Sequence, residues 1–77
     1  MSVTPNPAST HATFEVNPSL AGVLEFRNLV GQVVKTETLQ PGMSRTRVEL
    51  DELADGIWLV SHRVDGVVVV TKRLVKH

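Results

Sequence analysis

The sequence lacks several features that common functional classes require. Its 77 residues include no cysteine, no tyrosine and only three aromatic side chains, and its eight basic and eight acidic residues cancel. Without cysteine, neither a disulfide framework nor a thiolate zinc site can support the core. The neutral charge balance argues against a nucleic-acid binder, which normally carries a basic excess. No apolar run approaches the roughly 18 residues that a membrane helix needs.

What the sequence does contain is typical of short β-strands. It has fourteen valines and seven threonines, and such β-branched side chains favour a pleated, half-buried surface over a helix. Turn-forming residues recur at short intervals, from Pro5-Asn6-Pro7 through Pro41-Gly42 to Asp65-Gly66. Between them, apolar and polar residues alternate with the period of two expected for antiparallel strands with one face in water.

This alternation predicts six strands and a short additional one near Val3. The six cover residues 11–16, 22–28, 32–39, 45–50, 56–64 and 67–75. Asp65-Gly66, between the last two, is a strong hairpin pattern. We therefore predict an all-β fold, an immunoglobulin-like antiparallel β-sandwich of six to seven short strands. At most one helical turn is expected, near residues 51–53.

The last strand begins with an unusual apolar run. Val67 to Val70 show no polar alternation, so we expect this part to be covered on both faces or to lie beside a partner. Four consecutive valines on an edge strand also predict a tendency to self-associate. By contrast, Phe14, Phe26 and Trp58 lie at alternating apolar positions, which predicts that they are buried.

Candidate groups for catalysis or metal binding are few. His11, His62 and His77 have no metal-ligand neighbour at a recognised spacing. The acidic residues between positions 51 and 55 do not follow the alternating pattern of a calcium loop and are interpreted as a solvated turn. No serine lies in a strand–turn–helix elbow, and no glycine-rich phosphate loop is present. We expect no catalytic residue, no metal and no cofactor.

Three segments are unusual for a plain sandwich. Thr4-Pro5-Asn6-Pro7-Ala8-Ser9 contains two prolines, which favour a rigid, extended opening. Leu29-Val30-Gly31-Gln32-Val33-Val34 includes a predicted turn. Thr71-Lys72-Arg73-Leu74-Val75-Lys76-His77 carries three cations and no acid. Cations at this position are also typical of edge strands that resist aggregation.

These segments resemble, in the same order, the motifs of the type A C-terminal sorting domains of the type IX secretion system. The family motifs are YPNPAS, LxGQxV, LxxGxYxV and a basic, apolar ending. The third is represented here by Leu53-Ala54-Asp55-Gly56-Ile57-Trp58-Leu59-Val60. Thr4 stands where the family usually has Tyr, and Trp58 where it has Tyr or Phe. The motif residues expected to be mainly structural are Pro5, Asn6, Pro7, Gly31, Gln32, Gly56, Trp58 and Gly66.

The resemblance implies that residues 3–77 are one sorting domain, with residues 1–2 an added start or the end of a linker in a longer Gram-negative protein. Such domains follow cargo that enters the periplasm by a signal peptide. They direct it through an outer-membrane translocon, and a surface sortase commonly removes the tag. The implied partners are therefore the translocon and the sortase, with no nucleic acid. The implied location is the periplasm in transit, then the cell surface or the medium.

For recognition by the export machinery, the predicted contact residues are Lys72, Leu74 and Lys76. If they share one face by alternation, the two cations flank an apolar residue. That arrangement suits a partner with an acidic rim, or strand addition at the sheet edge. The alternative function is a non-catalytic adhesion or carbohydrate-binding module of a secreted protein, which would need exposed aromatic side chains for sugar stacking.

Overall fold

The computed structural model describes residues 1–77 and contains seven β-strands and no helix. The strands are β1 (Ser2–Thr4), β2 (His11–Glu15), β3 (Gly22–Arg27), β4 (Val33–Leu39), β5 (Arg45–Glu49), β6 (Gly56–Val64) and β7 (Val67–Lys76). Each of the six longer strands begins and ends within one residue of its predicted bounds. The expected helical turn is a hydrogen-bonded turn instead, in which the Leu53 N–H donates to the Leu50 carbonyl oxygen (3.0 Å).

The strands form two antiparallel sheets. The smaller sheet has the order β1-β2-β5 and the larger has the order β4-β3-β6-β7. In the larger sheet, Phe26 of β3 lies opposite Val60 of β6, and Trp58 of β6 lies opposite Leu74 of β7. The predicted all-β sandwich is confirmed, while its immunoglobulin-like character stays a prediction.

One apolar core lies between the sheets. Its members are Ala8, Ala12, Phe14, Val16, Leu24, Phe26, Leu39, Val48, Leu50, Leu53, Trp58, Val60 and Leu74. Phe14 of the smaller sheet and Phe26 of the larger one meet edge to face, with ring centroids 5.6 Å apart. This geometry places the positive ring edge against the negative face. The predicted burial of Phe14, Phe26 and Trp58 is confirmed.

Backbone conformation explains two of the glycines. Asp65 and Gly66 have φ values of 51° and 78°, as the two central residues of a type I′ hairpin turn require. Gly22 begins β3 and lies close to the backbone of β6. A Cβ atom at Gly22 would lie 2.2 Å from the carbonyl oxygen of Arg63, so any side chain there would push the two strands apart.

The valine run at the start of β7 departs from the expected coverage on both faces. Val67, Val68 and Val69 are exposed, with 62%, 43% and 47% of their surface accessible. No strand pairs with β7 on its outer side, and none of these valines reaches the core, so neither a neighbouring strand nor the smaller sheet covers them. A register shift at His62/Arg63 further separates this part of β7 from regular pairing.

Candidate functional site

The distinctive segments of the chain meet at one end of the larger sheet. Arg27 at the end of β3 lies beside Leu59, and Leu59 lies beside Arg73. Gly56 at the start of β6 lies opposite Lys76 near the end of β7. We call this region, formed by residues 27–33, 56–59 and 73–77, the motif end. Of the motif residues named in the sequence analysis, only Gly66 lies at the opposite end of the sheet.

The opening segment docks at the motif end on the outer side of β7, which is the strand edge that does not pair with β6. The Asn6 amide donates to the carbonyl oxygen of Arg73 (2.9 Å), and the N–H of Val75 donates to the Asn6 side-chain oxygen (3.0 Å). The N–H of Ala8 donates to the Val75 carbonyl oxygen (2.7 Å), and the N–H of His77 donates to the Ala8 carbonyl oxygen (2.8 Å). We call residues 5–8 the clasp.

The clasp differs in shape from the extended opening that two prolines predict. Residues 5–7 bend, and Ala8 alone pairs with Lys76 as a parallel bridge. Ala8 is almost fully buried and belongs to the core. Pro5 and Pro7 therefore flank an asparagine that bonds to the last strand rather than extending a straight linker.

The turn between β3 and β4 is organised by Asn28 and Gln32. The Asn28 side-chain oxygen accepts from the N–H groups of Val30 and Gln32 (both 3.0 Å), and its amide donates to the Gln32 side chain (2.9 Å). Gly31 has a φ of 95°, a conformation that side chains disfavour. Leu29 and Val30 remain exposed at the tip.

Trp58 joins the motif end to the core. Its indole N–H donates to the carbonyl oxygen of Ala54 (2.9 Å), and its ring lies in the core with Leu53 and Leu74. Burial of the ring together with a satisfied N–H is the usual arrangement for a core tryptophan. Since both phenylalanines are also buried, no aromatic platform for sugar stacking is exposed.

The predicted contact residues Lys72, Leu74 and Lys76 share one face of β7, since they lie opposite Val60, Trp58 and Gly56. Their surroundings nevertheless differ. Leu74 is fully buried in the core, and the Lys76 ammonium lies 3.4 Å from the Asp55 carboxylate. Lys72 is exposed.

Charge pairing singles out two neighbouring cations. Six of the eight Lys and Arg side chains form ion pairs: Arg27, Lys35, Arg45, Arg47, Arg63 and Lys76. The two without a carboxylate partner are Lys72 and Arg73. They point to opposite faces because side chains alternate along a strand. Sequence reasoning selected Lys72 and missed Arg73, although the local excess of cations included both.

Two ionisable groups in the larger sheet have shifted pKa values. A hydrogen bond from Arg63 (2.9 Å) lowers the pKa of the Glu25 carboxyl, and Arg27 (3.2 Å) adds to the effect. Burial lowers the pKa of His62, which lies on the core side of β6, and a hydrogen bond with the Leu20 backbone partly opposes that shift. The Nε2 atom of His62 is buried without a hydrogen-bond partner.

No group of three or more His, Asp or Glu side chains is arranged to hold a metal ion. The surface has no pocket. The structure has no helix that is long and apolar enough to cross a membrane.

Comparison with known protein families gives a match that spans the whole sandwich. The model of the family described as "Secretion system C-terminal sorting domain" matches residues 2–77, from the start of β1 past the end of β7. The chain belongs to this family. No curated protein and no solved structure is significantly similar to it.

As a member of the sorting-domain family, the chain carries a C-terminal sorting signal for type IX secretion. Such a tail implies export to the cell surface or secretion, and contact with the type IX machinery. Family members are typically non-catalytic. The residues that resemble the family motifs lie mostly at the motif end, where the clasp, the Asn28–Gln32 turn and Trp58 surround the second half of β7.

Proposed function

We propose that the folded domain directs a cargo protein from the periplasm through the outer-membrane translocon of the type IX system, and that a surface sortase then removes it. The family match over residues 2–77 supports this function most directly. In this proposal residues 3–77 are the sorting unit, and residues 1–2 are an added start or a linker end. The domain supplies recognition, while the bond-breaking chemistry belongs to the sortase.

Recognition is assigned to the second half of β7, through Lys72, Leu74 and Lys76. Lys72 supports this assignment because it is exposed and has no carboxylate partner. The Lys76 side chain is only 14% exposed and its partner Asp55 is 74% exposed, so a carboxylate of the partner protein would reach Lys76 by displacing Asp55. Leu74 is buried, so its part in recognition is to hold the strand against the core.

Of the two docking modes that the sequence leaves open, side-chain contact with an acidic partner is better supported than strand addition. The clasp already bonds to the outer side of Arg73, Val75 and His77. The remaining part of the edge contains the register shift. Bulged edge strands accept new strands poorly because their unpaired groups are not evenly spaced.

The function can be tested with residues 1–77 fused to a periplasmic reporter in a host with a type IX system. Met1 is kept because it packs against the core. We expect removal of residues 72–77 to abolish surface delivery. Because that deletion also removes Leu74 from the core, Lys72→Gln with Lys76→Gln is a milder variant, expected to lower delivery several-fold. Protease resistance of the domain reports whether each variant folds.

The matched control is Arg47→Gln, which removes an exposed cation from the other sheet. It is expected to leave delivery within twofold. Unchanged delivery after removal of residues 72–77 would refute recognition through the terminal strand. Unchanged delivery after removal of the whole domain would refute the sorting function itself.

A further inference from the structure

The larger sheet has one face that the smaller sheet does not cover. At the motif end, the strand register places six side chains together on that outer face: Val33, Arg27, Leu59, Arg73, Ile57 and Val75. We call this set the outer patch. It lies on the side of β7 opposite to Lys72, Leu74 and Lys76, since neighbouring residues of a strand point to opposite faces.

The outer patch is apolar at its centre. Val33 and Ile57 are 42% and 39% exposed, and Leu59 and Val75 are half-buried. Four aliphatic side chains from three paired strands are therefore at least partly open to solvent, and Val33 joins the other three at a register shift between β3 and β4. A rigid, apolar centre of this kind is typical of the buried part of protein interfaces.

The charges around the patch are unbalanced. Glu25 is the only acidic residue on the outer face, and it accepts hydrogen bonds from both Arg63 (2.9 Å) and Arg27 (3.2 Å). Arg73 is exposed and has no carboxylate within ion-pair distance. The outer face therefore carries three arginines and one carboxylate. The free guanidinium of Arg73 lies directly beside Leu59, at the border of the apolar centre.

We propose that the outer patch docks a partner protein whose surface has an apolar centre and carboxylates at its rim. This inference rests on the proposed sorting function and deepens it by naming a second contact area and the chemistry of its partner. Complementary charge speeds encounter and selects partners, while arginine is enriched in interfaces. The unpaired Arg73 specifies a carboxylate as its counterpart, because guanidinium groups bind carboxylates through two parallel hydrogen bonds.

The proposal is tested in the same reporter fusion of residues 1–77. Arg73→Glu is expected to lower surface delivery at least tenfold, while Arg73→Lys should lower it less, because the charge remains but the two parallel hydrogen bonds are lost. Ile57→Glu should also lower delivery at least tenfold. The matched control is Arg45→Glu, an exposed arginine of the smaller sheet, which should leave delivery within twofold. Thermal unfolding of the purified domains identifies any variant that fails to fold.

The outcomes separate this inference from the proposed function. If removal of the whole domain abolishes delivery but folded Arg73→Glu and Ile57→Glu variants are delivered normally, the patch is not a docking surface while the sorting function stands. Binding of the purified domain to phosphatidylglycerol vesicles that is lost with Arg73→Glu would assign the patch to a lipid surface and overturn the protein partner. A dimer in size-exclusion chromatography that Ile57→Glu dissociates would assign it to a second copy of the chain.

Discussion

The two halves of β7 are built differently although they form one continuous strand. In the first half, Val67 to Val69 are exposed, and a register shift lies opposite them. In the second half, Leu74 is fully buried, and the clasp bonds to the strand from the outer side. Residues 73–77 therefore have bonded neighbours on both sides, as in the interior of a sheet, while the first half of the strand is paired with β6 only.

This difference shows that position in a sheet does not by itself determine how firmly a strand is held. Main-chain groups on the outer side of an edge strand are normally left to solvent. Here Asn6 and Ala8, from the other end of the chain, bond to them over the part of β7 that carries Leu74 and Lys76. The half with the family's basic ending is thus the half that the fold holds in place.

The two halves of β7 should differ most in the free energy of unfolding that is lost when one side chain in each is truncated. Leu74→Ala should lower the free energy of unfolding by about 2–5 kcal/mol, because it leaves a cavity in the core. Val68→Ala, in the exposed half, should change it by no more than about 0.5 kcal/mol. Urea unfolding followed by Trp58 fluorescence measures both. Equal losses from the two variants would show that the halves are held alike.

A smaller effect is expected from opening the clasp. Asn6→Ala removes two hydrogen bonds to β7, and since water replaces part of them the loss should be about 1 kcal/mol. The specific readout is faster hydrogen exchange of the Val75 N–H. Asn17→Ala is the control, because Asn17 bonds only within its own turn, to the N–H of Ser19 (2.9 Å). If Val75 exchanges at the same rate in both variants, the clasp does not protect the strand.

The smallest effect is expected from mild acid, and it should begin in the first half of β7. His62 lies opposite Val70, and its pKa is lowered by burial. The unfolded chain, with an ordinary histidine pKa of about 6.5, then binds more protons than the folded one, so stability falls as the pH drops below about 6.5. Hydrogen exchange should accelerate around Val70 before Val75.

Glu25 adds to this loss only at lower pH. Its folded-state pKa is lowered by Arg63 and Arg27, so its stabilising contribution is complete above the ordinary carboxyl pKa and lost as the pH falls through the lowered value.

The variant that tests the role of His62 is His62→Leu, which places an apolar side chain of similar size in the core. Its stability should change little between pH 7 and pH 5. A dependence identical to that of the unchanged domain would show that another group causes it.

Local pattern was sufficient to predict the strands. Alternation along β3 places Leu24 and Phe26 inward and Glu25 outward, and the Asp65-Gly66 pair defines the β6–β7 hairpin. Each of these features depends on residues a few positions apart, whose side-chain directions follow from strand geometry. The same alternation predicted that Lys72, Leu74 and Lys76 share a face.

Contacts between distant segments could not be predicted in this way. The partners of Asn6 on β7 lie 67 and 69 positions further along the chain, and no local periodicity links them. For Val67 to Val70, the absence of polar alternation correctly predicted a strand but not its exposure, because exposure depends on where the other sheet ends. The lack of a carboxylate beside Arg73 likewise depends on which side chains the other strands of the larger sheet bring to its outer face, not on its own segment.

The clasp also determines how the domain responds to mechanical force. At Ala8 the clasp pairs in parallel with the end of β7. A pull applied to the N-terminal and C-terminal sides of the chain therefore slides the clasp and β7 past each other. Bonds arranged in this way are loaded together rather than broken one by one. The four hydrogen bonds that Asn6 and Ala8 make with residues 73–77 then set the barrier to forced unfolding, a quantity governed by the unfolding rate rather than by equilibrium stability. We therefore expect the domain to resist such a pull most strongly where residues 5–8 bond to residues 73–77.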